Sequence, residues 1–306
     1  MGRSSLEKFG ILSVALAAAA LTAPASAEIL TSVTTTNQLV KFDSATPGTI
    51  GSSVGITGLQ AGETVLGFDY RPATGGLYAI GSTSRLYLIN GTTGAATQVG
   101  SAGAFTLSGT AFGVDFNPTV DRLRVTSNTG QNLRINPNDG TLTATDTALS
   151  YAAGDPNAGA TARVVGSAYT NNFAGAVTTT LYGIDSNLDI LAIQNPPNAG
   201  VLNTVGALGF NTSDLVGFDI SGSGTAYALL TAPAGSLSQL FTINLATGAA
   251  TLVGSVSGSQ SPLVGLATLV GAPVPEPDTW TMMLLGFGLI GVVIRRRQYP
   301  RSSQAA

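Results

Sequence analysis

One pattern recurs along this chain and constrains its fold more than any other feature. It consists of a Gly-x-Asp strand, a turn, a Leu-Tyr strand, an aliphatic strand ending in Asn or Asp, a Thr-Gly turn and a final strand. The clearest copies begin at Gly67-Phe68-Asp69 and Gly217-Phe218-Asp219. Each segment is short and bounded by residues that favour turns. Self-similarity of this kind is typical of a repeat architecture built from short strands.

The repeat spacing predicts the number of units. Glycines of the first strand occur at positions 67, 113, 166, 217 and 265, so successive copies are 46, 53, 51 and 48 residues apart. This spacing suits blades of four strands and predicts a β-propeller. The last copy contributes only its first strand, whereas residues 30–33, 39–43 and 50–54 form three strands that lack one.

A ring explains this split unit, because each blade buries its apolar faces only against its neighbours. Pairing the C-terminal strand with the three N-terminal strands closes the circle. We therefore predict an all-β, five-bladed propeller with very little helix. A parallel β-helix is the alternative, but its rungs are shorter and it needs no split unit.

The N-terminus has the features of a secretory signal. Arg3 and Lys8 precede an apolar run at residues 11–21, and the small residues Ala25 and Ala27 form a cleavage motif. A buried helix is the alternative, but the three features occur in the order expected of a signal peptide. We predict that signal peptidase removes residues 1–27 and that residues 28–271 form the propeller.

The C-terminus combines a proline motif, an apolar stretch and an arginine cluster. Pro275, Glu276 and Pro277 precede a predicted helix at residues 280–294, which the run Arg295, Arg296 and Arg297 follows. As a helix these fifteen residues span about 22 Å, less than the ~20 residues that usually cross a bilayer. The arginines are expected on the cytoplasmic side. An ordinary single-span anchor is the alternative interpretation.

This order of features resembles the PEP-CTERM sorting signal. The resemblance covers residues 272–298, followed by a polar tail at 299–306. It implies that a membrane-embedded exosortase recognises the Pro-Glu-Pro motif, cleaves nearby, and releases or transfers the protein to the cell surface. The helix would then be a transient tether to the inner membrane. The resemblance also implies a Gram-negative host that makes exopolysaccharide.

Charge and residue usage exclude several functions. Residues 28–271 contain thirteen acidic and seven basic side chains, whereas binding to nucleic acid needs a basic face. The chain contains no Cys and no His. Disulfides, zinc sites of the usual type, Ser-His-Asp triads and cysteine nucleophiles are therefore excluded.

Three aspartates occupy equivalent positions in the repeats. Asp69, Asp115 and Asp219 lie near the ends of the predicted innermost strands, so a propeller would bring them towards its axis. Such a ring of carboxylates would suit calcium or a sugar. We favour the alternative that each aspartate hydrogen-bonds the backbone of its own hairpin turn, such as residues 71–75 and 117–119.

A second candidate site is basic. We place Arg122 and Arg124 on opposite faces of their strand, where either could bind an anionic polysaccharide. The alternative is that they pair with Asp121 and other surface acids, where ion pairs contribute little stability.

Several segments resemble a bacterial family known as domain of unknown function 4394. They are residues 113–118 (GVDFNP), 121–125 (DRLRV), 128–137 (NTGQNLRINP), 168–172 (AYTNN), 180–185 (TLYGID) and 194–198 (QNPPN). The resemblance covers nearly the whole predicted propeller and implies no catalytic residues.

These features favour a non-catalytic protein of the cell surface or extracellular matrix that binds exopolysaccharide or another envelope component. The alternative is a carboxylate-dependent glycan hydrolase or lyase, because glycoside hydrolysis needs two well-placed carboxylates. Asp69, Asp115 and Asp219 are the candidates for that chemistry.

Overall fold

The computed structural model describes residues 27–235 and 237–271. Ala25, the Pro275-Glu276-Pro277 motif, the predicted helix at 280–294 and the Arg295-Arg296-Arg297 run lie outside the described residues. Within the described ranges, no helix is long and apolar enough to cross a membrane.

The described residues form 21 strands and two three-residue 3₁₀ helices, Pro197–Ala199 and Ser257–Ser259. In chain order the strands are β1 Ile29–Thr34, β2 Gln38–Asp43, β3 Ile50–Gly55, β4 Val65–Tyr70, β5 Leu77–Gly81, β6 Arg85–Ile89, β7 Ala96–Val99, β8 Phe112–Asn117, β9 Arg122–Ser127, β10 Asn132–Ile135, β11 Leu142–Thr145, β12 Ser150–Tyr151, β13 Val164–Tyr169, β14 Leu181–Asp185, β15 Ile190–Gln194, β16 Val201–Ala207, β17 Val216–Ile220, β18 Ala226–Leu230, β19 Gln239–Ile243, β20 Ala250–Ser255 and β21 Leu263–Thr268.

The strands form five sheets, which are the blades of a β-propeller. Blade 1 has the order β21-β1-β2-β3, and blades 2, 3 and 5 are β4 to β7, β8 to β11 and β17 to β20. Blade 4 contains β13 to β16, and β12 extends its outer edge in parallel with β16. The predicted five blades and the closure by the C-terminal strand are confirmed. The extra strand β12 was not predicted.

The propeller closes because β21 pairs with β1 in antiparallel register. Leu30 lies opposite Thr268, and Thr34 lies opposite Leu263. The innermost strands β21, β4, β8, β13 and β17 each contact the next around the ring. Aromatic contacts also join blades, since the ring centroids of Tyr78 in blade 2 and Phe116 in blade 3 are 5.5 Å apart.

Glycine begins each repeat because adjacent innermost strands approach closely at this position. A Cβ atom on Gly217 would lie 2.4 Å from the carbonyl carbon of Gly265 in the next blade. The Thr-Gly turn makes a similar contact at the outer rim. Gly248 has a φ of +81°, and a Cβ there would lie 2.4 Å from the carbonyl oxygen of Gly206 in blade 4. Both glycines of the repeat therefore allow neighbouring blades to pack.

Candidate functional site

The ring brings Asp69 of β4, Asp115 of β8 and Asp219 of β17 together near the axis. One carboxylate oxygen from each lies within 4.8 Å of the others. All three residues are buried, with at most 3% of their surface exposed. We call these residues the axial aspartates.

The axial aspartates accept hydrogen bonds from one backbone N–H of each innermost strand. The five donors are Tyr70, Phe116, Tyr169, Ile220 and Thr268. An innermost strand is the edge of its sheet, so N–H groups that point to the axis have no partner strand. The carboxylates supply the acceptors that these buried groups need.

Each axial aspartate also joins two blades. Asp69 Oδ2 accepts from the N–H of Phe116 in blade 3 at 2.9 Å. Asp219 Oδ2 accepts from the N–H and the hydroxyl of Thr268 in blade 1 at 2.6 and 2.8 Å. The interpretation that each aspartate bonds its own hairpin turn was wrong, because these carboxylates bond strand edges. They support the fold through contacts between blades.

Two blades carry alanine at the equivalent position, Ala168 in blade 4 and Ala267 in blade 1. An alanine offers no acceptor to the next innermost strand, so the N–H groups of Ile220 in β17 and Tyr70 in β4 need another partner. They are bonded by Asp219 at 2.6 Å and by Asp69 at 2.7 Å, in each case the aspartate that immediately precedes the donor. Three carboxylates therefore serve all five strands.

Burial controls the charge of this cluster. Loss of solvent raises the pKa of Asp69 and Asp115 well above the ordinary value, and repulsion from the other carboxylates raises both further. Burial raises the pKa of Asp219 to about 6, although bonds from Thr268 and Ile220 oppose this shift. The cluster therefore retains protons under conditions in which an exposed aspartate is ionised.

Access to the axial aspartates is also restricted. The cavity beside them, between innermost strands and lined by Phe68, Phe112 and Phe218, has a volume of about 10 Å³. That volume holds about one water molecule, so a polysaccharide cannot reach the carboxylates. Calcium takes six to eight oxygen ligands, whereas N–H donors surround these three carboxylates. Calcium binding here remains a prediction.

A larger cavity lies between blades 3 and 4, with a volume of about 330 Å³. We call it the arginine cavity; among its lining residues are Asn117, Arg122, Arg124, Arg134, Thr143 and Asn198. The prediction that Arg122 and Arg124 lie on opposite faces of β9 was wrong. Side chains two residues apart on a strand share a face, and both arginines line this cavity.

Arg124 forms the inner wall of the arginine cavity and is almost fully buried. Its Nη1 donates to Asp146 Oδ2 at 2.6 Å and to Asn132 Oδ1 at 2.7 Å. Its Nη2 donates to Asn198 Oδ1 at 2.7 Å, and its Nε to the Tyr169 hydroxyl at 3.2 Å. The last two partners belong to blade 4, so Arg124 joins the two blades. The expected surface pairing with Asp121 was wrong for this residue.

Arg134 shares the carboxylate of Asp146 with Arg124. Its Nε and Nη2 donate to the two oxygens of Asp146, both at 2.8 Å. Burial alone would raise the pKa of Asp146, but the hydrogen bonds from Arg134 and Arg124 bring it below the ordinary value. A quarter of the Arg134 side chain remains exposed, so its outer edge faces the cavity.

Arg122 lies at the cavity wall without a carboxylate partner. Its Nη1 donates to the backbone carbonyl of Asp121 at 2.8 Å, and no carboxylate in the described part of the chain lies within 4 Å of its guanidinium. The side chain of Asp121 instead pairs with Arg71 of blade 2. Pairing between Arg122 and Asp121 side chains was therefore a wrong expectation as well.

A third cavity, of about 190 Å³, lies where the innermost strands begin, at the end of the axis away from the axial aspartates. Its wall is largely apolar and includes Leu66, Phe112 and Leu215, together with Asp214. The carboxylate of Asp214 already accepts bonds from Arg163, Ser186 and Asn128. The oxygens of this carboxylate are therefore already bonded within the protein.

Comparison with known proteins gives the family. A family model described as "Domain of unknown function (DUF4394)" matches residues 38–267, from β2 into β21. This chain belongs to the DUF4394 family. The PEP-CTERM protein-sorting motif matches residues 273–297 of this DUF4394 protein. Both resemblances are thereby confirmed, and the motif indicates export to the cell envelope or surface with exosortase as the processing partner.

Solved structures similar to the DUF4394 propeller have low identity. A chain of a nidogen–laminin complex is 11% identical with a TM-score of 0.46, covering 81% of this chain and all of that one. A Bacteroides thetaiotaomicron protein of unknown function is 16% identical with a TM-score of 0.45, over 74% and 58% of the two chains. PorZ, a surface component of the type-IX secretion system of Porphyromonas gingivalis, is 13% identical with a TM-score of 0.37, over 72% and 27%.

These scores carry no inference about function. No curated protein matched the sequence.

The sequence analysis identified Arg122 and Arg124 but missed the side chains that hold Arg124 in place, Asp146, Asn132 and Asn198. The sequence did point to this cavity, because five of the six residues named in its lining lie in segments that carry the family resemblance. Nothing in the sequence shows that residues 121–125 and 194–198 meet. Only the packing of blade 3 against blade 4 brings them to one cavity.

Proposed function

We propose that this DUF4394 protein is a non-catalytic protein of the cell surface or extracellular matrix that binds an envelope glycan such as exopolysaccharide. The observation that carries the proposal is the sorting motif, which begins at residue 273, directly after the last propeller strand ends at Thr268. A domain followed at once by such a motif is delivered to the compartment in which envelope polysaccharides lie.

Two processing steps precede that function in this proposal. Signal peptidase cleaves after Ala27, and the exosortase recognises Pro275, Glu276 and Pro277. The helix at 280–294, with its arginine run, holds the protein at the inner membrane until the second cleavage. Mass spectrometry of the mature protein from its native host tests both steps. We expect an N-terminus at Glu28 and loss of the Arg295-Arg296-Arg297 run, whereas an intact Met1 and arginine run would contradict them.

Binding is better supported than cleavage by the geometry of the acidic groups. A glycosidase needs a carboxylic acid and a second carboxylate that both reach the scissile bond. The axial aspartates are buried, and the cavity beside them holds about one water molecule. The large arginine cavity instead presents guanidinium and amide groups, which donate hydrogen bonds to sugar oxygens and acidic substituents.

Incubation of the mature protein with exopolysaccharide from its native host tests this function. Both retention on the polymer and the polymer's chain length are measured. We expect retention with unchanged chain length. Release of shortened chains that stops when Asp69, Asp115 and Asp219 are replaced by Asn would support the hydrolase or lyase alternative, and lack of retention would overturn the binding function.

A further inference from the structure

The arginine cavity carries more positive charge than its own acids neutralise. Arg122, Arg124 and Arg134 line it, and Asp146 is the one carboxylate that pairs with any of them in the described residues. Asp139 lies near Arg122, but hydrogen bonds from Thr141 are the main cause of its lowered pKa, the charge of Arg122 adds least, and its side chain is exposed. Its influence is therefore screened by solvent and salt.

Arg122 and Arg134 also keep hydrogen-bond donors available. Nη1 of Arg122 is occupied by backbone carbonyls, while its Nε and Nη2 have no acceptor among residues 27–235 and 237–271. Arg134 uses Nε and Nη2 for Asp146, and its Nη1 has no acceptor in the same ranges. Two guanidiniums at one cavity thus offer N–H groups to a ligand.

The wall that holds these donors is arranged before any ligand binds. Asp146 fixes both Arg134 and Arg124, and Arg124 fixes Asn198 across the blade boundary. Asn132 supports the same turn by donating to the Pro197 carbonyl at 3.1 Å. A site whose side chains are already ordered loses less conformational entropy on binding.

The chemistry of the donors indicates the ligand. A guanidinium presents parallel N–H groups that match the two oxygens of a carboxylate. A volume of about 330 Å³ lies at the lower end of the ~300–1,000 Å³ range of ligand pockets, which suits one sugar unit and its substituent. We propose that the arginine cavity binds the carboxylate of a uronic-acid-type sugar unit in the glycan, with Arg122 and Arg134 as its ligands and Arg124 as a positioning residue.

This proposal rests on the proposed function and is tested with a defined polymer. Mature protein from the native host is applied to polygalacturonate, to the same polymer with its carboxylates methyl-esterified, and to dextran sulfate. We expect retention on polygalacturonate that falls as salt is added, and at least about tenfold weaker retention on the other two polymers. Lack of retention on polygalacturonate, or equal retention on the ester or the sulfate, would overturn the carboxylate assignment.

Matched variants test the residues. Arg122→Gln and Arg134→Gln should each weaken retention on polygalacturonate by about tenfold, the effect of losing one charge-assisted hydrogen-bonded pair. Arg85→Gln in blade 2 removes an equal charge outside the cavity and should change retention by less than about twofold. Equal retention by all three variants, with unchanged thermal unfolding, would contradict the site.

The two proposals fail in distinguishable ways. If Arg122→Gln and Arg134→Gln bind the native exopolysaccharide as the unaltered protein does, the function stands and this site is wrong. If the unaltered protein binds polygalacturonate but not the native exopolysaccharide, the site stands and the native ligand is a different one. If it binds neither polymer, both proposals are wrong.

Discussion

The axial aspartates and the arginine cavity each bring together three ionisable side chains of one kind, yet the surroundings of the two clusters differ. The aspartates are buried, and together they accept a hydrogen bond from one backbone N–H of each of the five innermost strands. Arg124 and Arg134 share one carboxylate, Asp146, whereas Arg122 pairs with none in the described residues. Arg122 and Arg134 keep donors that face a cavity. A charged cluster enclosed by backbone donors supports the architecture, whereas one that retains solvent access and free donors is suited to a ligand.

The largest expected effect comes from removing an axial carboxylate. Asp219→Ala leaves the buried N–H groups of Ile220 and Thr268 without acceptors. We expect the free energy of unfolding to fall by about 3 kcal/mol, because each unsatisfied buried donor costs about 1–3 kcal/mol. Chemical denaturation measures this loss. Asp139→Ala is the matched control: it removes only exposed hydrogen bonds from Thr141 and should cost far less stability than Asp219→Ala. Equal effects of the two variants would refute the architectural role.

The next largest effect concerns the inner wall of the arginine cavity. Arg124→Met should lower the free energy of unfolding by about 2 kcal/mol, since it leaves the buried oxygens of Asn132 and Tyr169 with fewer donors. Asp146 keeps Arg134 as a partner, which limits the loss. Denaturation of the purified variant gives the value. A change as small as that of Arg122→Gln would show that Arg124 does not hold the two blades together.

The two clusters should change the free energy of unfolding in opposite directions as the pH rises. The raised pKa of each axial aspartate means that the folded protein binds more protons than the unfolded chain between pH 4 and about 6, the folded pKa of Asp219. Unfolding then releases protons, so the contribution of Asp219 falls by about 2 kcal/mol as pH rises through this window. Asp146 has a lowered pKa, and its contribution is lost only as the pH falls below that range.

Thermal or chemical unfolding at pH 4, 5, 6 and 7 measures this dependence. Asp219→Asn removes the titrating group with little change of shape and should flatten the decline. A stability that rises steadily from pH 4 to pH 7 in the unaltered protein would show that the axial cluster does not retain protons.

The smallest expected effect is on the stability of the cavity variants. Arg122→Gln should change the free energy of unfolding by less than about 0.5 kcal/mol, as is usual for a partly exposed side chain without a buried partner. The same variant is expected to lose binding to polygalacturonate. Loss of stability comparable to that of Arg124→Met would mean that Arg122 supports the fold, and the contrast between the two clusters would disappear.

Much of the architecture could be predicted before the structure was known. The spacing of the Gly-x-Asp strands predicted the five blades, and the split unit predicted closure by the C-terminal strand, because these features depend on local strands and a simple repeat. Strand β12 was missed, since two residues, Ser150 and Tyr151, carry no recognisable period. The approach of the three aspartates to the axis also followed from their equivalent positions.

The partners of these side chains could not be predicted in the same way. Arg124 and Asn198 are 74 residues apart and meet because blade 3 packs against blade 4. Asp219 bonds Thr268 across the closure of the ring. A repeat pattern describes one blade at a time, so the strand order can be read from the chain alone. Hydrogen bonds between blades depend on the curvature of the ring and on which blades carry alanine. Those bonds decide which charged side chains are enclosed and which face a cavity.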